Sequence, residues 1–202
     1  MNERSFRFYS YINKQIMKDK RTAILQATLE MITELGFHGT AMSKLADRAG
    51  VGAGTIYRYF KNKEDLINIL FRELKKDMDE ATFEGYSDSL PIKLQFKLVW
   101  KNVLLYYIQH PKIFKFIEQH YYSPFIDEET KKERTQLHQP ITAFFEQFKQ
   151  TKLIKNLPID VLYALVYGPI VSLAKFHLEA DLVLEDVVLD RTMEACWEAI
   201  TV

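Results

Sequence analysis

Ala49-Gly50-Val51 is the feature that most narrows what this chain can fold into. Before it, Met42, Leu45, Ala46 and Ala49 fall on one face of a short helix; after it, Val51, Ile56 and Phe60 anchor a second. A sharp stop between them needs a residue with positive φ, which glycine adopts at least cost. Upstream, Ile24, Ala27, Thr28, Met31, Ile32 and Leu35 recur at three- and four-residue spacing, and Gly36 ends that run. Three helices around one small core, the last two joined by a glycine turn, make a helix-turn-helix.

The outward side of the second short helix defines what such a unit can touch. Entry into a DNA major groove needs a short, rigidly backed helix. Its reading face must be slim, and phosphate-binding groups must flank it. Residues 51–60 fit. Ile56 and Phe60 turn inward, while Ala53, Thr55 and Arg58 can face bases, Arg58 with the reach to pair with guanine. Tyr57 and Tyr59 can offer phenols to phosphates, and Gly52 and Gly54 keep the helix start close to the DNA backbone. Each of these taken singly also reads as packing or a solvated edge; the constellation is what points to DNA.

Charge supports this division of labour. The chain is neutral overall, but residues 1–76 carry 14 Lys/Arg against 8 Asp/Glu, and residues 77–202 carry 13 against 19. A basic head on an acidic body suits a polyanion partner for the head alone. The single cysteine, Cys196, excludes an internal disulfide and a cysteine zinc site and reads as a packing thiol. No uninterrupted apolar run of eighteen residues and no signal-peptide core occurs, so the expectation is a cytoplasmic protein with no membrane partner.

Residues 18–78 resemble the DNA-binding domain of the TetR family of bacterial transcriptional regulators. The residues that carry the likeness are Gly36-Phe37, Thr40, Leu45-Ala46, Ala49-Gly50-Val51, Gly54-Thr55-Ile56-Tyr57, Tyr59-Phe60 and Lys63-Glu64-Asp65-Leu66. The resemblance implies DNA contacts from Thr40, Ser43, Lys44, Ala53, Gly54, Thr55, Tyr57, Arg58, Tyr59 and Lys63. Ala53, Thr55 and Arg58 fall on its base-reading positions, and Tyr57, Tyr59 and Lys63 on its phosphate contacts. Two positions depart from the pattern. Ala41 replaces the usual hydroxyl residue before the second helix, so Thr40 must cap it or the cap is weak. Ser43 stands where many members carry arginine.

The body, residues 79–202, follows a long helix that starts at Asn62-Lys-Glu-Asp and turns polar after Leu74. Five further helices are expected: from Ser89-Leu-Pro91 to His110, from Pro111 to about Tyr122, from Asp127 to Leu153 with a division at Pro140, from Leu157 to about Ala180, and from Leu184 to Ile200. The fold class is therefore all-α with about nine helices: an N-terminal extension (1–17), the helix-turn-helix domain (18–78) and a larger ligand-binding and dimerisation domain (79–202). Met17 is a candidate alternative start.

Residues 91–180 hold fifteen aromatic side chains, enough to line a cavity for a bulky apolar molecule as well as a core. The resemblance implies an effector pocket here, with Trp100, Tyr107, Phe114, Tyr121, Phe144 and Tyr167 as its candidate contacts. No carboxylate stands out as waiting for a cation, which leans towards a neutral or acidic hydrophobic compound. The last two helices carry apolar stripes, Leu162, Leu165, Val166, Pro169, Leu173 and Phe176 on one and Val187, Val188, Met193, Cys196, Trp197 and Ile200 on the other. They predict a homodimer through a four-helix contact, which two-headed DNA reading requires.

Catalytic motifs are missing. The five histidines are scattered, without metal-ligand spacing, and neither a nucleophile elbow nor a phosphate-cradling loop occurs. The expectation is a non-enzyme without cofactor or metal. Its partners would be double-stranded operator DNA, a small-molecule effector and a second copy of itself. A repressor released by effector is favoured over an activator or co-repressor-dependent regulator. A ligand-binding protein or enzyme that merely retains the head is the remote alternative.

Overall fold

The computed structural model describes residues 20–137, 139–180 and 182–202. The N-terminal extension (1–17), Met17 included, lies outside the described residues. Ten helices are present among the described residues, and no strands, which agrees with the all-α expectation. They are α1 (Lys20–Gly39), α2 (Met42–Ala49), α3 (Ala53–Tyr59), α4 (Lys63–Thr82), α5 (Ile92–Gln109), α6 (Pro111–His120), α7 (Glu128–Leu137), α8 (Gln139–Gln150), α9 (Ile159–Glu179) and α10 (Asp186–Ile200).

The chain divides into two compact units, the first ending at Phe71 and taking in Lys115–Asp127, the second made of Arg72–Phe114 and Glu128–Val202. In the first unit, Ile24, Ala27, Met31 and Ile32 of α1, Leu45 and Ala46 of α2, Ile56 of α3, and Leu66, Ile67, Leu70 and Phe71 of α4 are all buried. Thr28 and Thr33 are buried in this core, with hydroxyls donated to the carbonyls of Ile24 and Leu29 one turn back. The turn is built as expected from Gly50. Its φ of 65° and ψ of 34° are left-handed, and Gly50 N–H and Val51 N–H close onto the carbonyls of Asp47 and Ala46. Gly36 breaks α1 with φ 71° and ψ 175°, a region open almost only to glycine.

Lys115–Asp127 joins this unit through one side chain in particular. Asn68 donates to the carbonyls of Glu64 and Phe125, both at 2.8 Å, and accepts from Asp127 N–H at 3.0 Å. Phe125 stacks on Phe37 at 3.6 Å between ring centroids.

In the second unit α5 is central, with α9 and α10 packed on it and on each other, and α8 against α9. Phe96, Trp100, Val103, Leu104 and Tyr107 of α5 face Leu162, Val166, Ile170 and Ala174 of α9 and Leu189, Met193, Cys196 and Ile200 of α10. Burial pushes the Cys196 thiol up, which keeps it a neutral packing group. The expected helix over 127–153 is two helices, and Pro140 sits in the first turn of α8, where its missing N–H costs nothing. At the start of α5, Pro91 holds the cap position. Helix α9 runs through Gly168-Pro169 unbroken. By length and composition it is apolar enough to cross a membrane, with little of it buried.

Candidate functional site

The first unit presents α2 and α3 outward. Lys44 and Ser43 are exposed on α2, and Ala53, Gly54, Tyr57, Arg58 and Tyr59 on α3, Tyr57 at 56 % of its full surface. That exposure leaves the phenol open to a phosphate. Thr55 is half-buried, its N–H closing the first turn onto the Gly52 carbonyl at 2.8 Å. Arg48 is not part of this face: it bridges back to Glu34 at 3.1 Å and Glu30 at 3.6 Å, tying α2 to α1.

Two expected contacts make hydrogen bonds within the fold. Thr40 is fully buried and its hydroxyl donates to the Gly36 carbonyl at 2.9 Å, so its side chain is not on the exposed face. It does not cap α2. Ala41 holds the cap position, with no side-chain hydrogen bond. Lys63 donates to the carbonyls of Phe37 at 2.7 Å and Thr40 at 3.0 Å, and its ammonium lies 4.1 Å from the centre of the Phe37 ring. It neutralises the carbonyl-rich end of α1 and holds it to the start of α4, leaving one of its three protons for a phosphate. Asn62 and Asp65 complete that junction, Asn62 accepting from Asp65 N–H and Asp65 from Lys61 N–H, each at 2.8 Å.

The second unit holds a partly open cavity of about 40 Å³. Trp100, Phe144 and Tyr167 of the six expected ligand contacts line it, as do Phe96, Tyr163 and Ile170. Tyr107, Phe114 and Tyr121 do not. Tyr107 stands one layer behind, its hydroxyl 2.5 Å from that of Tyr167; Phe114 packs on Tyr107 at 4.7 Å; and Tyr121 belongs to the first unit, near Phe71.

Sequence reading missed one wall of the cavity. The stretch after Leu74 reads as polar and solvated, yet Lys75, Met78, Asp79 and Thr82 lie along one face of α4 and line the cavity. Lys75 is 4 % exposed and paired with Asp79. The available signal is the stripe Phe71, Leu74, Lys75, Met78, Thr82, whose helical period runs on after the residue types change. Among the described residues no cluster of His, Cys, Asp or Glu is placed to hold a metal.

An all-helical chain with an exposed helix-turn-helix has the architecture of a DNA-binding transcriptional regulator. Residues 24–69 match the bacterial regulatory proteins of the tetR family, and residues 91–201 match the tetracyclin repressor-like C-terminal domain. The chain belongs to the TetR family of transcriptional regulators, which are not enzymes. It is 29 % identical over 188 residues to an uncharacterized HTH-type transcriptional regulator of Haemophilus influenzae, across 93 % of this chain and 98 % of that one. The fold is also that of a TetR family transcription regulator from Marinobacter aquaeolei VT8 (TM-score 0.84, 23 % identity, 93 % of this chain and 98 % of that one). The transcriptional regulator FadR from Bacillus subtilis, in complex with stearoyl-CoA, is similar at TM-score 0.70 and 21 % identity over 88 % of this chain and 98 % of that one.

Proposed function

We propose that the protein is a homodimeric cytoplasmic repressor, released from its operator when a small apolar or aromatic effector enters the cavity of the second unit. The observation that carries this reading is α4. Its first residue, Lys63, fastens the end of α1 in the DNA-reading unit, and its last turns, Lys75 to Thr82, form a wall of the cavity. An effector that displaces the cavity end of α4 acts on a helix whose other end sets the position of α1, and motion of α6 against α4 is the second route. To empty a nearly filled operator, the effector must favour the released form by about 5 kcal/mol.

Dimerisation is proposed through α9 and α10. Val161, Leu165 and Phe176 on α9 and Val187 and Val188 on α10 are exposed apolar residues, Phe176 at 56 %. A second copy covers such a face and supplies the second reading head. In functional terms, residues 18–78 form the DNA-binding part and residues 79–202 the effector and dimer part. Base reading falls to Ala53, Thr55 and Arg58 with Ser43 and Lys44, and phosphate contact to Tyr57, Tyr59 and the remaining proton of Lys63.

A gel shift on the DNA upstream of the protein's own gene tests the reading: a specific band at modest salt is expected, and its absence sinks the proposal. Tyr57→Phe should weaken all sequences alike, whereas Arg58→Ala should change which sequence is preferred.

A further inference from the structure

We infer that the ligand of the cavity carries a neutral hydrogen-bond donor, a hydroxyl, phenol or amide N–H, on an apolar body, and that Asp79 receives it. The inference rests on the cavity being the effector site and adds the chemistry of its occupant. Most polar groups at the wall already have partners. The Trp100 indole donates to the Val166 carbonyl at 3.1 Å, the Thr82 hydroxyl to Met78 at 2.8 Å, and the Tyr167 phenol is paired with Tyr107. Lys75 donates to Asp79 Oδ1. Asp79 Oδ2 is different: it is buried and has no hydrogen-bond partner among the described residues.

A buried acceptor without a donor is costly, and a donor brought there by a ligand removes the cost at the moment of binding. Burial holds the Asp79 carboxyl above the usual carboxylate range even though Lys75 pulls it down, which shows how poorly this oxygen is solvated. Charge decides between kinds of donor. The Lys75 ammonium already balances Asp79, so a cationic ligand would crowd two positive charges around one carboxylate, and an anionic ligand would set its charge against Oδ2. A neutral donor leaves the pair balanced. Water is a poor occupant, because the rest of the wall is largely apolar and a buried water normally holds about three partners.

The test uses the full chain and three probes of one shape: 2-naphthol, 2-naphthoate and 2-methylnaphthalene, titrated by calorimetry at neutral pH. The naphthol should bind about tenfold more tightly than either of the others, the measure of one well-made hydrogen bond. Asp79→Asn, whose amide oxygen still accepts but without the charge, should shrink the naphthol preference. Because that change leaves Lys75 buried alone, the double variant Lys75→Met/Asp79→Leu, which fills the site with apolar volume, should fold and bind 2-methylnaphthalene at least as well as the naphthol. Tightest binding of the naphthoate, a naphthol preference that survives both variants, or no binding of any probe would overturn the inference. Release from DNA is followed separately by gel shift. Selective naphthol binding without release would overturn the effector reading and leave the role of Asp79 standing, and release without selectivity would do the reverse.

Discussion

Ala41 has the extended backbone of a helix cap, φ −83° and ψ 139°, and no side chain to complete it. Serine at that exposed position can accept from the open N–H groups of α2, so Ala41→Ser should add about 1 kcal/mol of stability, read as a higher urea midpoint. Lys63 is the opposite case, a residue whose sequence position suggests DNA and whose bonds hold the fold. Lys63→Met removes two charge-assisted hydrogen bonds and should cost about 2 kcal/mol. If its third proton also serves a phosphate, the salt slope of DNA binding should fall by about 1 in the same variant; an unchanged slope would assign it to structure alone. Residues like these limit what sequence reveals. The spacing that marks Thr40 and Lys63 records where they stand along the chain, whereas the carbonyls they bond, Gly36, Phe37 and Thr40, converge only because Gly36 turns the end of α1.

At the scale of elements, the head was almost wholly legible. Glycines 36 and 50 and the apolar period place α1, α2 and α3, since a short helix that buries one face leaves a clear pattern. The body was less so. In α4 the buried positions are filled by Lys75 and Thr82, whose types point outward while their period points inward. In α6, His120 is buried, stacked on Phe116, with Nδ1–H donated to the Phe116 carbonyl at 2.9 Å. Burial lowers its pKa below 6.5, so the unfolded chain takes up the proton first. Its contribution is complete above pH 6.5 and is lost as pH falls from there towards the folded value. His110 is lowered by burial in the same sense. The urea midpoint should therefore drop between pH 7.5 and 5.5, and the drop should be smaller in His120→Phe, which keeps the ring stack.

For the whole molecule, the missing information was which side of each C-terminal helix faces inward. The apolar residues of α9 run around most of its circumference, so Leu162 and Leu165 read alike although the first is fully buried and the second 39 % exposed. In the homodimer proposed here, Leu165→Glu places a charge in the shared face while leaving the buried side intact. It should give a folded monomer by light scattering and weaken operator binding by at least about tenfold, because the two heads are no longer joined. A dimer that survives this change would move the interface elsewhere.

The size of the cavity carries a consequence for timing. At about 40 Å³ it falls well short of the roughly 150 Å³ cavity that takes up a benzene ring, so side chains must part before a ring-bearing molecule can enter. Entry would then proceed at the rate at which the body opens, and the observed rate should level off as ligand concentration rises instead of climbing in proportion. A regulator with that property answers a large excess of compound no faster than a saturating amount.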